Sequence, residues 1–318
     1  MRNFYHLTLA FLSSVFYHNP NREIFVIGVT GTKGKSTVLE LINVILETAG
    51  YKTALLSSVR RKVGLQSEPN LTGNTMPGRF TIQKFLADAV KARVNYVLVE
   101  VTSQGVIQHR HRFIEWDAAI FINLAPEHIE AHGSFENYRN AKLGFFHSLT
   151  DSKKPTKYFF INEADSNRHY FEEAARRTLD ARIEFFSRER FIKEDLGSHY
   201  NLKAKPSREF LADWFLADFN LENAAAAASF ARSQKIKWPI IKKAFDDFKG
   251  VPGRLEFIQK KPFTVVIDYA HTPDSLRQVY EAVRPEALNY GSKGELICVL
   301  GSAGGGRDKW KRPEMGKI

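Results

Sequence analysis

Residues 31–37 read Gly-Thr-Lys-Gly-Lys-Ser-Thr, directly after an apolar run at 24–29 and directly before a helical pattern. A strand, a glycine-rich turn and a helix N-terminus in that order form a cradle for phosphate. Backbone N–H groups surround the anion, Lys35 brings a mobile positive charge and Ser36 offers a hydroxyl to Mg²⁺. The spacing departs from the common GxxxxGK[ST] form, because Val29 stands five residues before Gly34 and Gly28 one position earlier. That departure marks a subgroup. The plain alternative, a tight turn without a ligand, leaves a Gly-Lys-Ser at a strand-to-helix junction unexplained.

Further chemistry-bearing residues follow. Glu100 closes the apolar run 94–101, and a carboxylate at the C-terminal end of a strand beside a phosphate loop is placed to hold Mg²⁺. His128 and His132 have i,i+4 spacing, which on a helix puts two imidazoles on one face. The zincin pattern fails, since Ile129 follows His128 and Glu130 comes one position late; contact of His128 alone with Mg²⁺ or water is the expectation. Lys142, taken alone, reads as a solvated helix lysine.

The elements that must position these residues form an α/β pattern. Strands are expected at 24–29, 53–57, 96–101, 118–124 and 158–162, and helices at 36–49, 81–92 and 135–149, which predicts a mainly parallel sheet of five or more strands with crossover helices. Charged, aperiodic residues between 180 and 218 predict short antiparallel strands or loops. Helices are expected at 220–233 and 239–248, then a boundary near Pro252. A strand at 263–267, a helix at 273–283, a strand at 296–300 and the start of another helix follow. Two strands in about 65 residues do not complete a sheet, so this second α/β part reads as cut short at Ile318. The expected organisation is an N-terminal helix and linker (1–22), an ATP-binding domain (23–251) and the beginning of a Rossmann-like domain (252–318).

Composition agrees. The 318 residues suffice for about two domains, and 43% hydrophobic with 25% charged residues is the balance of a globular protein rather than a disordered or multi-span membrane chain. One cysteine excludes an internal disulfide and a Cys-rich zinc site. A formal charge of +11 favours anionic partners, but the basic residues are dispersed without a nucleic-acid-binding motif, so nucleic acid is not expected. The apolar segment 5–17 is too short to span a bilayer, and Leu7, Ala10, Phe11, Ser14, Val15 and Tyr17 predict a helix docked on the core.

The motifs together resemble the Mur ligase family, in the branch of UDP-N-acetylmuramoyl-dipeptide ligases that adds the third residue of the peptidoglycan stem. The resemblance runs from about residue 10 to 318 through GVTGTKGKST, NTMP (74–77), EVTSQGVIQHR (100–110), INLAPEHIEAHGSFENYRNAK (122–142), FNLENAAAA, GVPGRLE, DYAHTPDSL and GGGRDKWKRPEMG. It implies an ATP-dependent amide-bond ligase: ATP phosphorylates a carboxylate of UDP-MurNAc-L-Ala-D-Glu, and diaminopimelate or lysine attacks the acyl phosphate. It further implies that Gly31, Thr32, Lys33, Gly34, Lys35, Ser36 and Thr37 bind ATP. Ser36 and Glu100 would hold one Mg²⁺, His128 a second, with Lys142 carbamylated by CO₂ beside it. Asn220 and Asn223 would face adenine, Arg254 the terminal phosphate, Asp268 the ribose and His271 the phosphates. Lys35, Lys142, His128 and Arg254 would form the catalytic set.

Asn74, Thr75, Met76, Thr102, Gln108 and Arg110 fall at the family's positions for the nucleotide-sugar substrate. Met76 replaces a hydroxyl residue and Gln104 a histidine. The resemblance also implies a UDP-binding domain before this segment and an Asp-Asn-Pro-Arg-type motif after it, neither within these residues. Other expectations weighed are a folylpolyglutamate- or cyanophycin-type ligase, opposed by IQHR and DYAHTPD, and a non-catalytic ATP-binding remnant, opposed by the intact Lys35, Glu100, His128 and Lys142. Peptidoglycan synthesis implies a bacterial cytoplasm.

Overall fold

In the structure, a computed structural model, residues 2–196, 213–284, 294–301, 309 and 311–318 are described. An eight-stranded sheet has the order β4-β3-β2-β5-β1-β6-β7-β8. Its parallel part comprises β1 (Phe25–Thr30), β2 (Thr53–Leu56), β5 (Tyr96–Glu100), β6 (Ala118–Phe121), β7 (Lys157–Asn162) and β8 (Ala181–Phe186). β1 is central, and its residues up to Val29 are apolar around Gly28, as expected of a strand covered on both faces.

Helices cover both faces. On one, α2 (Lys35–Thr48) packs with α8 (Asp218–Ser233) and α9 (Trp238–Asp247); Val38, Leu41, Ile42 and Ile45 share a core with Ala224, Ala227 and Ala228. The alanine run lets the two helices approach closely while retaining high helix propensity. On the other face lie α3 (Arg79–Lys91), α6 (Phe135–Thr150) and α7 (Arg168–Arg176), with Phe85, Trp116, Phe145, Phe146 and Phe171 in one cluster. Each such side chain, fully buried, stabilises the fold by roughly 1.5–3 kcal/mol before entropy is counted. The short α4 (Ser103–Ile107) and α5 (Ile129–His132) sit at the C-terminal ends of β5 and β6.

Several expectations need correction. The charged segment 60–69, for which no element was expected, forms an antiparallel hairpin, β3 (Arg60–Val63) and β4 (Gln66–Pro69), on the sheet edge. It has no apolar run because β4 is exposed throughout. Within 180–218, β8 is parallel to β7, not antiparallel; residues 197–212 lie outside the described residues. The strand expected at 296–300 pairs with no strand among the described residues, and Ile297 and Val299 are exposed. An apolar run becomes a strand only where another edge can satisfy its N–H and C=O groups. Among the described residues β10 (Val265–Ile267) pairs with β9 (Glu256–Gln259) alone, antiparallel. The chain continues through α10 (Pro273–Ala282) and α11 (Lys311–Met315); residues 304–308 and 310 of the last motif lie outside the described residues.

The N-terminal helix α1 (Arg2–Phe16) forms, but it docks differently from its apolar pattern. Ala10, Ser13 and Ser14 are buried, whereas Phe11 and Val15 of the expected core face are half exposed. Small side chains permit close approach, and the two serines return their hydroxyls to Ala10 and Phe11 carbonyls. Among the described residues no helix is long and apolar enough to cross a membrane.

Candidate active site

The phosphate loop follows β1 at the centre of the sheet. Gly34, at the N-cap of α2, has φ +83°, a left-handed conformation that favours glycine. A Cβ there would also stand 2.2 Å from Asn223 Oδ1, so the residue is required by backbone shape and by space. Asn123, which the sequence reading passed over, shapes the first half of the loop: its Oδ1 accepts from Thr32 N at 3.1 Å and Lys33 N at 3.0 Å. The first N–H groups of α2, from Lys35 onward, have no intrahelical acceptor and are oriented for an anion.

Behind the loop, charged groups converge from separate elements. Ser36 Oγ donates to Glu100 Oε2 at 2.8 Å, and Ser58 N donates to the same oxygen at 2.9 Å. Lys35 Nζ donates to the Gly31 and Thr32 carbonyls at 3.1 Å each and lies 3.9 Å from Glu100 Oε1. Lys142, on α6, is buried and donates to the Gly31 carbonyl at 2.7 Å, with its ammonium 4.6 Å from the centre of the Tyr138 ring. Burial first, then the Lys35 charge, pushes its pKa well below the ordinary lysine value, although Glu127 and Glu100 pull the other way. The lone-residue reading of Lys142 as a solvated helix lysine is therefore corrected.

Glu127 is a second residue that the sequence reading passed over. Its Oε1 accepts from Lys33 Nζ at 2.7 Å, lies 3.1 Å from His271 Nε2 and 3.9 Å from Lys311 Nζ. Burial would raise its pKa, but hydrogen bonds from His271 and Lys33 and the Lys33 charge outweigh burial and hold the carboxyl below the usual range. This carboxylate thus joins the phosphate loop to residues more than 140 positions downstream. Its signal in the sequence is its place directly before His128.

His128 and His132 do not present a two-imidazole helix face. α5 begins after His128, which is its N-cap at φ +56°, and His132 Nε2 is 3.1 Å from Ser103 Oγ. Both rings flank Tyr138, with centroids at 6.2 and 5.1 Å. No cluster of three or more His, Cys, Asp or Glu suited to a metal occurs among the described residues.

From the later part of the chain, Asn223 presses on Gly34 and donates to Asn220 Oδ1 at 3.3 Å, while Asn220 donates to the Trp214 carbonyl. His271 reaches the site directly, 3.5 Å from Lys33 Nζ. Asp268 accepts from Leu255 N and Ala270 N at 2.7 Å each, which secures the turn carrying His271; burial raises its pKa. The Arg254 guanidinium lies 4.9 Å from the Tyr269 ring centre.

The remaining expected residues gather around α4. Thr102 caps it, accepting from Gly105 N at 3.1 Å. Gln108 Oε1 accepts from Arg110 Nε at 3.1 Å, and Arg110 also donates to the Met76 carbonyl, joining 74–76 to 102–110. Met76 is buried, with its sulfur 2.4 Å from where a Gly105 Cβ would be. Its place in the core accounts for an apolar residue there. Thr75 is half-buried and Asn74 exposed.

Residues 29–231 match the Mur ligase middle domain and residues 253–318 the Mur ligase glutamate ligase domain. The UDP-N-acetylmuramoyl-L-alanyl-D-glutamate–2,6-diaminopimelate ligase of Clostridium botulinum is 34% identical over 98% of this chain and 62% of its own length. That of Halalkalibacterium halodurans is 35% identical over 98% and 63%. The chain thus spans about 62% of the length of these relatives. A solved ligase of the same description superposes with TM-score 0.65 at 26% identity, covering 93% of this chain and 60% of the other. Mycobacterium tuberculosis folylpolyglutamate synthase shares the fold, with TM-score 0.64 at 16% identity over 87% and 70%. A phosphate loop on a mostly parallel sheet, met by a glutamate-ligase segment that carries His271 to the same carboxylate, agrees with these matches: the chain belongs to the Mur ligase family.

Proposed function

We propose that this chain carries the ATP site and acceptor site of an ATP-dependent amide-bond ligase that joins diaminopimelate or lysine to UDP-MurNAc-L-Ala-D-Glu in bacterial cytoplasmic peptidoglycan synthesis. The observation that carries the reading is the convergence of Lys35, Ser36, Glu100 and Lys142 behind the phosphate loop, with His271 brought to its front by Glu127. The relatives named above, aligned along nearly the whole chain, support the acceptor and the amine.

The residues fit Mg²⁺. Ser36 Oγ, a hard oxygen donor, lies within hydrogen-bond distance of both Ser58 Oγ and Glu100 Oε2, and a site with few protein ligands suits an ion that keeps water and phosphate oxygens around it. Ser36 and Glu100 would hold the ion, with His128 and a carbamylated Lys142 at a second position; bound Mg²⁺ supplies positive charge against the transferring phosphoryl group. The protein's own contribution is positioning. The α2 amides and Lys35 orient the phosphates, Arg254 adds a cation and His271 an imidazole hydrogen-bonding group from the later segment, and Thr102, Gln108 and Arg110 hold the acceptor so that its carboxylate faces the terminal phosphate. The low pKa of Lys142 supports carbamylation, because only the neutral amine adds to CO₂.

The test is coupled product analysis on the complete polypeptide: ADP and a tripeptide-bearing nucleotide sugar form only when ATP, Mg²⁺, acceptor and diaminopimelate or lysine are all present. Glu100→Ala removes the Mg²⁺-dependent turnover. Product formation with a folate acceptor and none with the nucleotide sugar overturns the reading.

A further inference from the structure

Arg79 opens α3, immediately after Gly78, which provides no side-chain cap. A cation at that position is opposed by the helix dipole, which favours anions at the N-terminus. Arg79 Nε donates to the Gln108 carbonyl at 3.1 Å, while Arg110 Nε donates to the Gln108 side-chain oxygen at 3.1 Å. Two guanidinium groups therefore bracket one glutamine.

Both are partly buried, and their acceptors are neutral. The other cations nearby are neutralised: Arg61 and Lys84 pair with Asp88 at 2.8 and 3.0 Å, and Arg112 with Asp151 at 2.8 Å. Among the described residues no such carboxylate partner faces Arg79 or Arg110. Carbonyl acceptors satisfy N–H groups but leave the charges standing, and each guanidinium has five donors, more than its carbonyl and amide contacts consume. Burial lowers the pKa of both, and Arg79 lowers that of Arg110 further. Such a pair is unfavourable until an oxyanion enters, and the planar fork of arginine suits carboxylate or phosphate.

The pair meets at Gln108, the C-cap of α4, whose N-cap Thr102 stands two residues after Glu100. α4 begins two residues after Thr102's neighbour Val101, and five helical residues rise only about 8 Å before Gln108. We propose that Arg79 joins Arg110 in a two-guanidinium clamp for an oxyanion of the acceptor other than the carboxylate that is activated, and so sets acceptor specificity. The inference rests on the acceptor reading above. The acceptor offers two such oxyanions, the spare glutamate carboxylate and the pyrophosphate.

Calorimetric titration of the complete chain with UDP-MurNAc-L-Ala-D-Glu tests it. In Arg79→Gln the affinity falls roughly 10- to 100-fold while ATP affinity stays within about twofold, and Arg79→Lys recovers part of the loss. If the carboxylate is the ligand, an acceptor with that group amidated binds wild type and Arg79→Gln alike; if the pyrophosphate is, an acceptor lacking the uridine diphosphate does so. Equal loss with the native acceptor and with both analogues means a structural role and overturns the clamp, as does an unchanged affinity. Should wild type bind no nucleotide sugar, the acceptor reading fails by itself. Titration with pyrophosphate and glutarate, followed on the arginine Nε–H resonances, then decides the clamp: a saturable shift of Arg79 and Arg110 together supports it, and no shift with either probe overturns it.

Discussion

Lys142 Nζ donates to the Gly31 carbonyl oxygen at 2.7 Å, so a buried amine on α6 is tied to the entrance of the phosphate loop. Burial keeps this amine less basic than an ordinary lysine. Lys142→Ala is expected to lower turnover by about 100-fold or more, the scale at which loss of one electrostatic stabiliser is felt, with ATP affinity largely retained. Partial rescue by added short carboxylates, measured as ADP release, supports the carbamate. Full activity in the variant rules out the role.

Glu127 draws Lys33, His271 and Lys311 onto one carboxylate. Glu127→Gln leaves Lys33 and Lys311 without their shared carboxylate and weakens the contact to His271, and residues 269–282 are expected to exchange amide hydrogen roughly tenfold faster in the nucleotide-free protein. The carboxyl is held below its unfolded pKa of about 4.3, so its stabilisation is complete above that pH and declines as pH falls toward the folded value. Hydrogen exchange at pH 7 with unchanged protection would show that the contact contributes nothing to docking.

His111 provides a second pH dependence. Burial, then the Arg112 and His109 charges, lowers its pKa to about 3. Between about pH 6.5 and 3 the unfolded chain binds a proton that the folded chain refuses, so this residue's contribution is intact above 6.5 and shrinks as pH falls, by up to roughly 1.4 kcal/mol per pH unit. His111→Gln should flatten the decline of Tm between pH 6 and 4.5. Parallel wild-type and variant curves would exclude His111 as its source.

Gly28 accounts for the unusual spacing before the loop. A Cβ there would lie 2.2 Å from Phe145 Cζ, and that ring is itself packed 5.0 Å from Trp116. Overpacking by one methyl is expected to cost about 1–3 kcal/mol in Gly28→Ala, and Phe145→Leu in the same chain should return part of it. Urea denaturation of the three variants measures the coupling; strict additivity would mean that the ring moves aside freely.

The strands and helices around the loop were legible because short continuous apolar runs, as at 24–29, and a period-3.6 pattern, as at 135–149, lie between glycine and proline breaks. The hairpin 60–69 was not, since an exposed edge strand carries no hydrophobic signature, and the helix around Ala10, Ser13 and Ser14 docks through small side chains that hydropathy undervalues. Lys35, Ser36 and Glu100 could be named from residue type and local context alone, because a phosphate loop and a strand-end carboxylate are local devices. Asn123, Glu127 and Arg79 could not. Their roles come from contacts across 29 to 144 positions, with Thr32 and Lys33, with His271 and with Gln108, and pattern along a chain does not say which distant charges will meet. Burial completes the division: sequence names Lys142 a cation, and its desolvation in the folded chain makes the neutral amine accessible.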